Sequence, residues 1–116
     1  MDSKQLAQKI VQILEDKNAR EVTLLDIAGL TVIADYFVVC SAQSTTQVRT
    51  LCDELEQKLK PEGITPLRVD GYRESRWVVM DFAHVIVHIF QSQEREFYNL
   101  ERLWANGVNP QQGNLQ

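Results

Sequence analysis

Residues 76–90 read RWVVMDFAHVIVHIF, and the way this stretch folds decides the architecture of the chain. It predicts two strands joined by a very short turn at Ala83-His84. Side chains alternate between the two faces of a strand, so the turn length fixes which residues share a face. A two-residue turn sets Phe82 opposite Val85, Met80 opposite Val87 and Val78 opposite Ile89, which makes one face wholly apolar. The other face then carries Trp77, Val79 and Asp81, set against Phe90, His88 and Ile86. A three-residue loop would instead bury His88 among Met80 and Phe82. Because a one-residue slip flips every side chain, the cleaner segregation selects the two-residue register. The apolar face requires a cover of helices. The second face, with Asp81 and His88 as diagonal neighbours between two large aromatics, is expected to be partly open and to carry the function.

Elements on either side are expected to supply that cover. Asp2 or Ser3 can cap a first helix running to about Lys17, with Leu6, Ile10, Ile13 and Leu14 on one stripe. Ser44 or Thr45 can cap a second helix to about Leu59, striped by Val48, Leu51, Cys52, Leu55 and Leu59 and stopped by Pro61 and Gly63. Glu21 to Ala28 predicts a first strand broken by Gly29, and Ala34 to Thr45 holds a strand apolar on both faces, the habit of an interior position. Ile64 to Val69 predicts a short strand in which Pro66 implies an edge position or a late start. Strand, helix and strand together predict a right-handed parallel crossover. A third helix is expected from near Ser92 to Gly107, with Phe97, Leu100, Leu103 and Trp104 on its apolar side. The fold class is therefore α/β: one domain over residues 1–106, a mixed sheet of about five strands, helices mainly on one face and the order α-β-β-α-β-β-β-α. Residues 107–116 lack any pattern and read as a disordered tail.

The chain has 116 residues and a net charge of −4, which argues for one core and against a nucleic-acid backbone as the main contact. An acidic surface suits a basic protein partner instead. Cys40 and Cys52 make no disulfide framework and are expected to be buried thiols of a reducing compartment. No apolar run approaches a membrane span, and MDSKQLAQKI lacks a signal-peptide core, so the expected location is the cytoplasm.

Catalytic readings are weak. Asp81 could orient His88 as a general base, yet no Ser or Cys of the hairpin is placed as a nucleophile, and a contact surface accounts for the pair as well. His84 and His88 lie about 13 Å apart along a strand, too far to share one zinc. No Gly-rich loop or paired acidic ligands support phosphoryl transfer. No cofactor or metal is implied. Trp77, on a half-polar face, has the character of a binding hot spot, with truncation costing roughly 2–4 kcal/mol. Arg95 and Tyr98 border the third helix's apolar stripe; ion pairing with nearby Glu residues accounts for Arg95, and Tyr98 either bonds backbone or extends the binding face.

The segments ADYFVVCSAQS (34–44), Gly71, Trp77 to Phe90 and REFYNLERLW (95–104) together resemble the ribosomal silencing factor family, RsfS, also called Iojap. Its members carry an Asp-aromatic-Phe strand (here Asp35-Tyr36-Phe37), a strand with Trp then Asp (Trp77, Asp81) and a Val-His-Phe strand (Val87-His88 with Phe90). Their last helix is matched by Arg95, Tyr98, Leu100, Glu101, Leu103 and Trp104. The resemblance spans nearly the whole chain and rests on the combination rather than on any one motif. Two departures stand out: Ala83-His84 where the family usually has Gly-Asp, and Ala42 where Gly is usual before the second helix. The first weighs against a tight primed turn, which favours residues tolerating positive φ.

The resemblance implies a nucleotidyltransferase-like fold without catalytic residues, and a homodimer as a common state. It also implies binding to the large ribosomal subunit through its fourteenth protein (uL-fourteen), where the small subunit docks, which blocks joining and lowers translation when nutrients are scarce. In that reading Trp77 and Phe90 are apolar anchors, Asp81 faces basic groups and His88 gives orienting hydrogen bonds, with Arg95 and Tyr98 contributing. A large-subunit assembly factor and, further off, a nucleotide-dependent enzyme using Asp81 and His88 are the alternatives.

Overall fold

A computed structural model describes residues 1–92. Helix α1 spans Ser3–Asp16 and begins at a capping box: the Asp2 carboxylate accepts from the Gln5 backbone N–H at 2.8 Å, and the Gln5 side chain accepts from the Asp2 N–H at 3.0 Å. Asn18, just beyond its C-cap Lys17, takes the left-handed φ of 64° that ends helices. Helix α2 spans Thr45–Leu59 with Ser44 as its cap, the serine hydroxyl accepting from the Gln47 N–H at 3.1 Å. Its buried residues are the five of the expected stripe. A single 3-10 turn, Lys60–Glu62, follows and closes on Gly63 at φ 76°.

Five strands form one sheet in the order β1-β2-β5-β4-β3. They are β1 Arg20–Asp26, β2 Tyr36–Ala42, β3 Arg68–Asp70, β4 Trp77–Asp81 and β5 Val85–Gln91. The β4–β5 register is the two-residue one: Trp77 faces Phe90, Val78 faces Ile89, Val79 faces His88, Met80 faces Val87 and Asp81 faces Ile86. Phe82 N–H donates to the Val85 carbonyl at 2.9 Å to close the turn. Ala83 takes φ 74° and so supplies the positive φ that the first residue of a type II′ turn requires. The missing glycine therefore leaves the turn in place and puts an alanine in a strained conformation.

Two expectations about the sheet are made more specific by the strand order. β3 starts only at Arg68, four residues after Ile64, since Pro66 has no N–H to give; Leu67 N–H donates to the Asp81 carbonyl at 2.7 Å just ahead of the strand. β3 is an edge strand, as Pro66 suggested. β3 runs parallel to β2, as the crossover unit predicts, but the two strands are not neighbours. β2 pairs in parallel with β5, and the β4–β5 hairpin sits between β2 and β3. Physically, β2 and β5 are the strands buried on both faces and take interior positions, while the short polar β3 is left at the rim.

Both helices pack on one face, where Ile10, Leu14, Leu51 and Leu55 meet Val38, Val78, Met80, Val87 and Ile89. Each fully buried aliphatic side chain of this layer contributes roughly 1.5–3 kcal/mol. The opposite face holds a second, smaller cluster of Leu25, Ile27, Ala34, Val39 and Phe90, with Phe37, Trp77 and Ile86 against it. The face expected to be partly open is thus closed along its centre, because β2 brings Phe37 and Val39 alongside His88 and Phe90. Cys40 and Cys52 are both buried. The expected third helix, with Arg95 and Tyr98, lies outside the described residues.

Candidate functional site

The second face of the β4–β5 hairpin carries an aromatic array assembled by cross-strand pairing. Trp77 and Phe90 are direct partners, and their rings stack with centroids 5.1 Å apart at 20°. His88, two residues before Phe90, has its ring 4.8 Å from Phe37 on β2 and 6.0 Å from Trp77. The Trp77 indole N–H donates to His88 Nδ1 at 3.1 Å. Indole is a donor only, so His88 must be neutral with its own proton on Nε2. Burial agrees with this assignment, pushing the His88 pKa down from 6.5 to about 4. Nε2 is itself buried and has no hydrogen-bond partner among the described residues.

Trp77 is held from behind by the loop that precedes it. Gly71 sits at φ 86°, and any Cβ there would collide with the Trp77 carbonyl oxygen. Ser75, buried and also at positive φ, donates its N–H to the Gly71 carbonyl at 2.9 Å, which closes the loop. The Gly71 and Trp77 that stand out in the sequence are therefore one device: the glycine lets the backbone approach the strand that presents the indole.

The candidate residues separate once placed in this geometry. Trp77 and Asp81 are partly accessible, whereas Phe90 (0% exposed) and His88 (7%) are buried beneath the array. As surface contacts Phe90 and His88 are corrected: Phe90 is a stacking floor and His88 an acceptor that orients the indole. Asp81 and His88 form no acid–base pair. The Asp81 carboxylate accepts from the Ala83 N–H at 2.8 Å and steadies the turn, while His88 bonds to Trp77. Among the described residues no group of three His, Cys, Asp or Glu side chains is arranged to hold a metal ion. Sequence reasoning passed over Leu30, Val32 and Ile33, which the β1–β2 loop displays to solvent. Their apolar run after Gly29 was a signal, but β-branched residues normally mark a strand interior rather than a surface.

Fold and site thus define a small mixed-sheet α/β domain whose distinguishing feature is an indole displayed on an aromatic floor. A family profile described as "Ribosomal silencing factor during starvation" (RsfS) matches residues 1–116, and the chain belongs to that family. A Ribosomal silencing factor RsfS of Halalkalibacterium halodurans is 39% identical over 106 residues, covering 91% of this chain and 91% of that protein. A crystal structure of a protein from Chromobacterium violaceum superposes with a TM-score of 0.86 at 28% identity, covering 90% of this chain and 87% of that one. More distantly, a mouse protein named Mitochondrial assembly of ribosomal large subunit protein 1 is 26% identical over 99 residues, covering 83% of this chain and 43% of that protein. No described helix is long and apolar enough to cross a membrane.

Proposed function

We propose that this chain is a translation repressor that docks on the large ribosomal subunit through the subunit's fourteenth protein (uL-fourteen). From there it sterically blocks joining of the small subunit and slows translation under nutrient limitation. The observation that carries the reading is the match of the whole chain to the ribosomal silencing factor profile. A net charge of −4 suits a basic ribosomal protein as partner. Trp77 is the central contact, its ring fixed by Phe90 and His88, so that little side-chain entropy is lost on binding. Asp81 faces basic groups of the partner, and Arg95 and Tyr98 contribute to binding. The role is steric and non-catalytic, exercised in the cytoplasm, on a nucleotidyltransferase-like fold. A homodimer through the same face would compete with the ribosome.

Sedimentation of the purified protein with separated subunits, followed by addition of the missing one, tests the reading. Co-migration with the large subunit and fewer joined ribosomes supports it, and absence from both subunits overturns it. Trp77→Ala should weaken binding while the protein remains folded. The name of the mouse relative favours a second reading, in which the protein serves large-subunit assembly. Binding that leaves joining intact would select that alternative.

A further inference from the structure

Large apolar side chains left in solvent gather at the end of the sheet opposite Trp77. Val32 (104% exposed) and Ile33 (72%) stand with Leu30 on the loop between β1 and β2. The loop is built rather than loose. Its feet, Ile27 and Ala34, are buried in the second cluster, and Ile27 N–H donates to the Asp35 carbonyl at 2.8 Å. Leu30 N–H donates to the Ile27 carbonyl at 2.9 Å, and Ile33 N–H to the Thr31 hydroxyl at 3.1 Å. Asp35 N–H, in turn, donates to the His84 carbonyl at 2.8 Å, which ties the loop to the β4–β5 turn. Two β-branched apolar residues are thus held outward at a fixed place, where no burial stabilises them.

Charge narrows what could cover them. Asp26 and Asp35 flank the loop, and the sequence from Glu21 to Val48 contains no Lys or Arg. Tyr36, at the foot of the loop, has its hydroxyl pKa raised by burial and then by Asp26, Asp35 and Asp2. A second copy meeting this loop across a two-fold axis would set the same carboxylates against each other with no cation of the loop between them. Phosphate would be repelled as well. An apolar cleft rimmed by Lys or Arg fits both the knob and its charge.

We propose that the β1–β2 loop, with Val32 and Ile33 at its tip, is a second docking surface that inserts into an apolar, basic-rimmed cleft of a protein of the large ribosomal subunit. The inference rests on the reading given under Proposed function and adds a contact at the opposite end of the hairpin from Trp77. It gives two-point attachment, in which the indole and the loop each fix the orientation of the other.

The test uses purified large subunits and the full chain carrying Val32→Ser with Ile33→Ser. Both sites are exposed, so the thermal midpoint should not move, and affinity should fall roughly tenfold or more. Asp26→Asn with Asp35→Asn should flatten the salt dependence of binding. Wild type that binds alongside a Ser variant of equal affinity overturns the loop proposal and leaves the proposed function standing. Wild type that fails to bind overturns both. Sedimentation velocity of the free protein supplies a further check: loss of a dimer in the Ser variant, with subunit binding intact, makes the loop a contact between copies and also overturns the proposal.

Discussion

Acid should loosen this domain through one imidazole. In the folded state His88 Nδ1 accepts the Trp77 indole proton, and burial lowers its pKa from 6.5 to about 4. In the unfolded chain it titrates near the ordinary value of about 6.5. Between those values the unfolded state binds a proton that the folded state refuses, so stability rises with pH across the window and is fully present above about 6.5. On acidification it is lost at up to about 1.4 kcal/mol per pH unit, roughly 3 kcal/mol by the time the folded pKa is reached. That is a large part of the about 5–15 kcal/mol that hold a small domain folded. His88→Gln removes the titrating group but keeps an oxygen to accept from Trp77. Urea unfolding followed by far-UV circular dichroism, from about pH 7.5 to about pH 4.5, should show a falling midpoint in wild type and a much flatter profile in the variant. Exposed His84 is common to both proteins and cancels. Parallel pH profiles would refute a buried neutral His88 and, with it, the orientation assigned to the indole.

Three further outcomes rest on local geometry. Gly71→Ala combines a positive φ with a collision at the Trp77 carbonyl, so it should cost about 1–3 kcal/mol and red-shift tryptophan emission; an unchanged spectrum and midpoint would separate the loop from the indole. Ala83→Gly relieves the left-handed strain of the β4–β5 turn and should raise stability by about 0.5–1 kcal/mol after the unfolded-state entropy is subtracted, a gain that calorimetry would detect or deny. Burial first, then the neighbouring Asp53, pushes the Cys52 thiol up to about 12. It should therefore react with a thiol reagent at pH about 8 only as fast as the domain opens, and rapid labelling mapped to Cys52 by mass spectrometry in native protein would contradict the packing of α2.

Local regularities were legible in the chain because they are carried by neighbouring residues. The stripes of α1 and α2 and the full β4–β5 register came through, and the structure chose Asp2 over Ser3 and Ser44 over Thr45 as caps and made the strand after Pro66 both late and at the edge. Each depends on a periodicity or on a cap within a few residues. Even the turn departure, Ala83 for glycine, was overruled by the apolar alternation on either side of it, since slipping the register would have buried His88 among methionine and phenylalanine. The open character of the second face was misjudged for a related reason. Alternation tells which residues share a face of a hairpin and is silent about what lies next to that hairpin.

By itself, then, the sequence determined α1 and α2, the hairpin and its two faces, and the family to which the chain belongs. Tertiary structure alone decided that β2 runs parallel beside β5 and carries Phe37 and Val39 to the aromatic face. It also turned His88 from a surface donor into a buried acceptor for Trp77 and left Val32 and Ile33 outside. The physical reason is that burial and hydrogen-bond partners are properties of residues far apart in the chain. Strand order brings them together, and no local pattern encodes strand order.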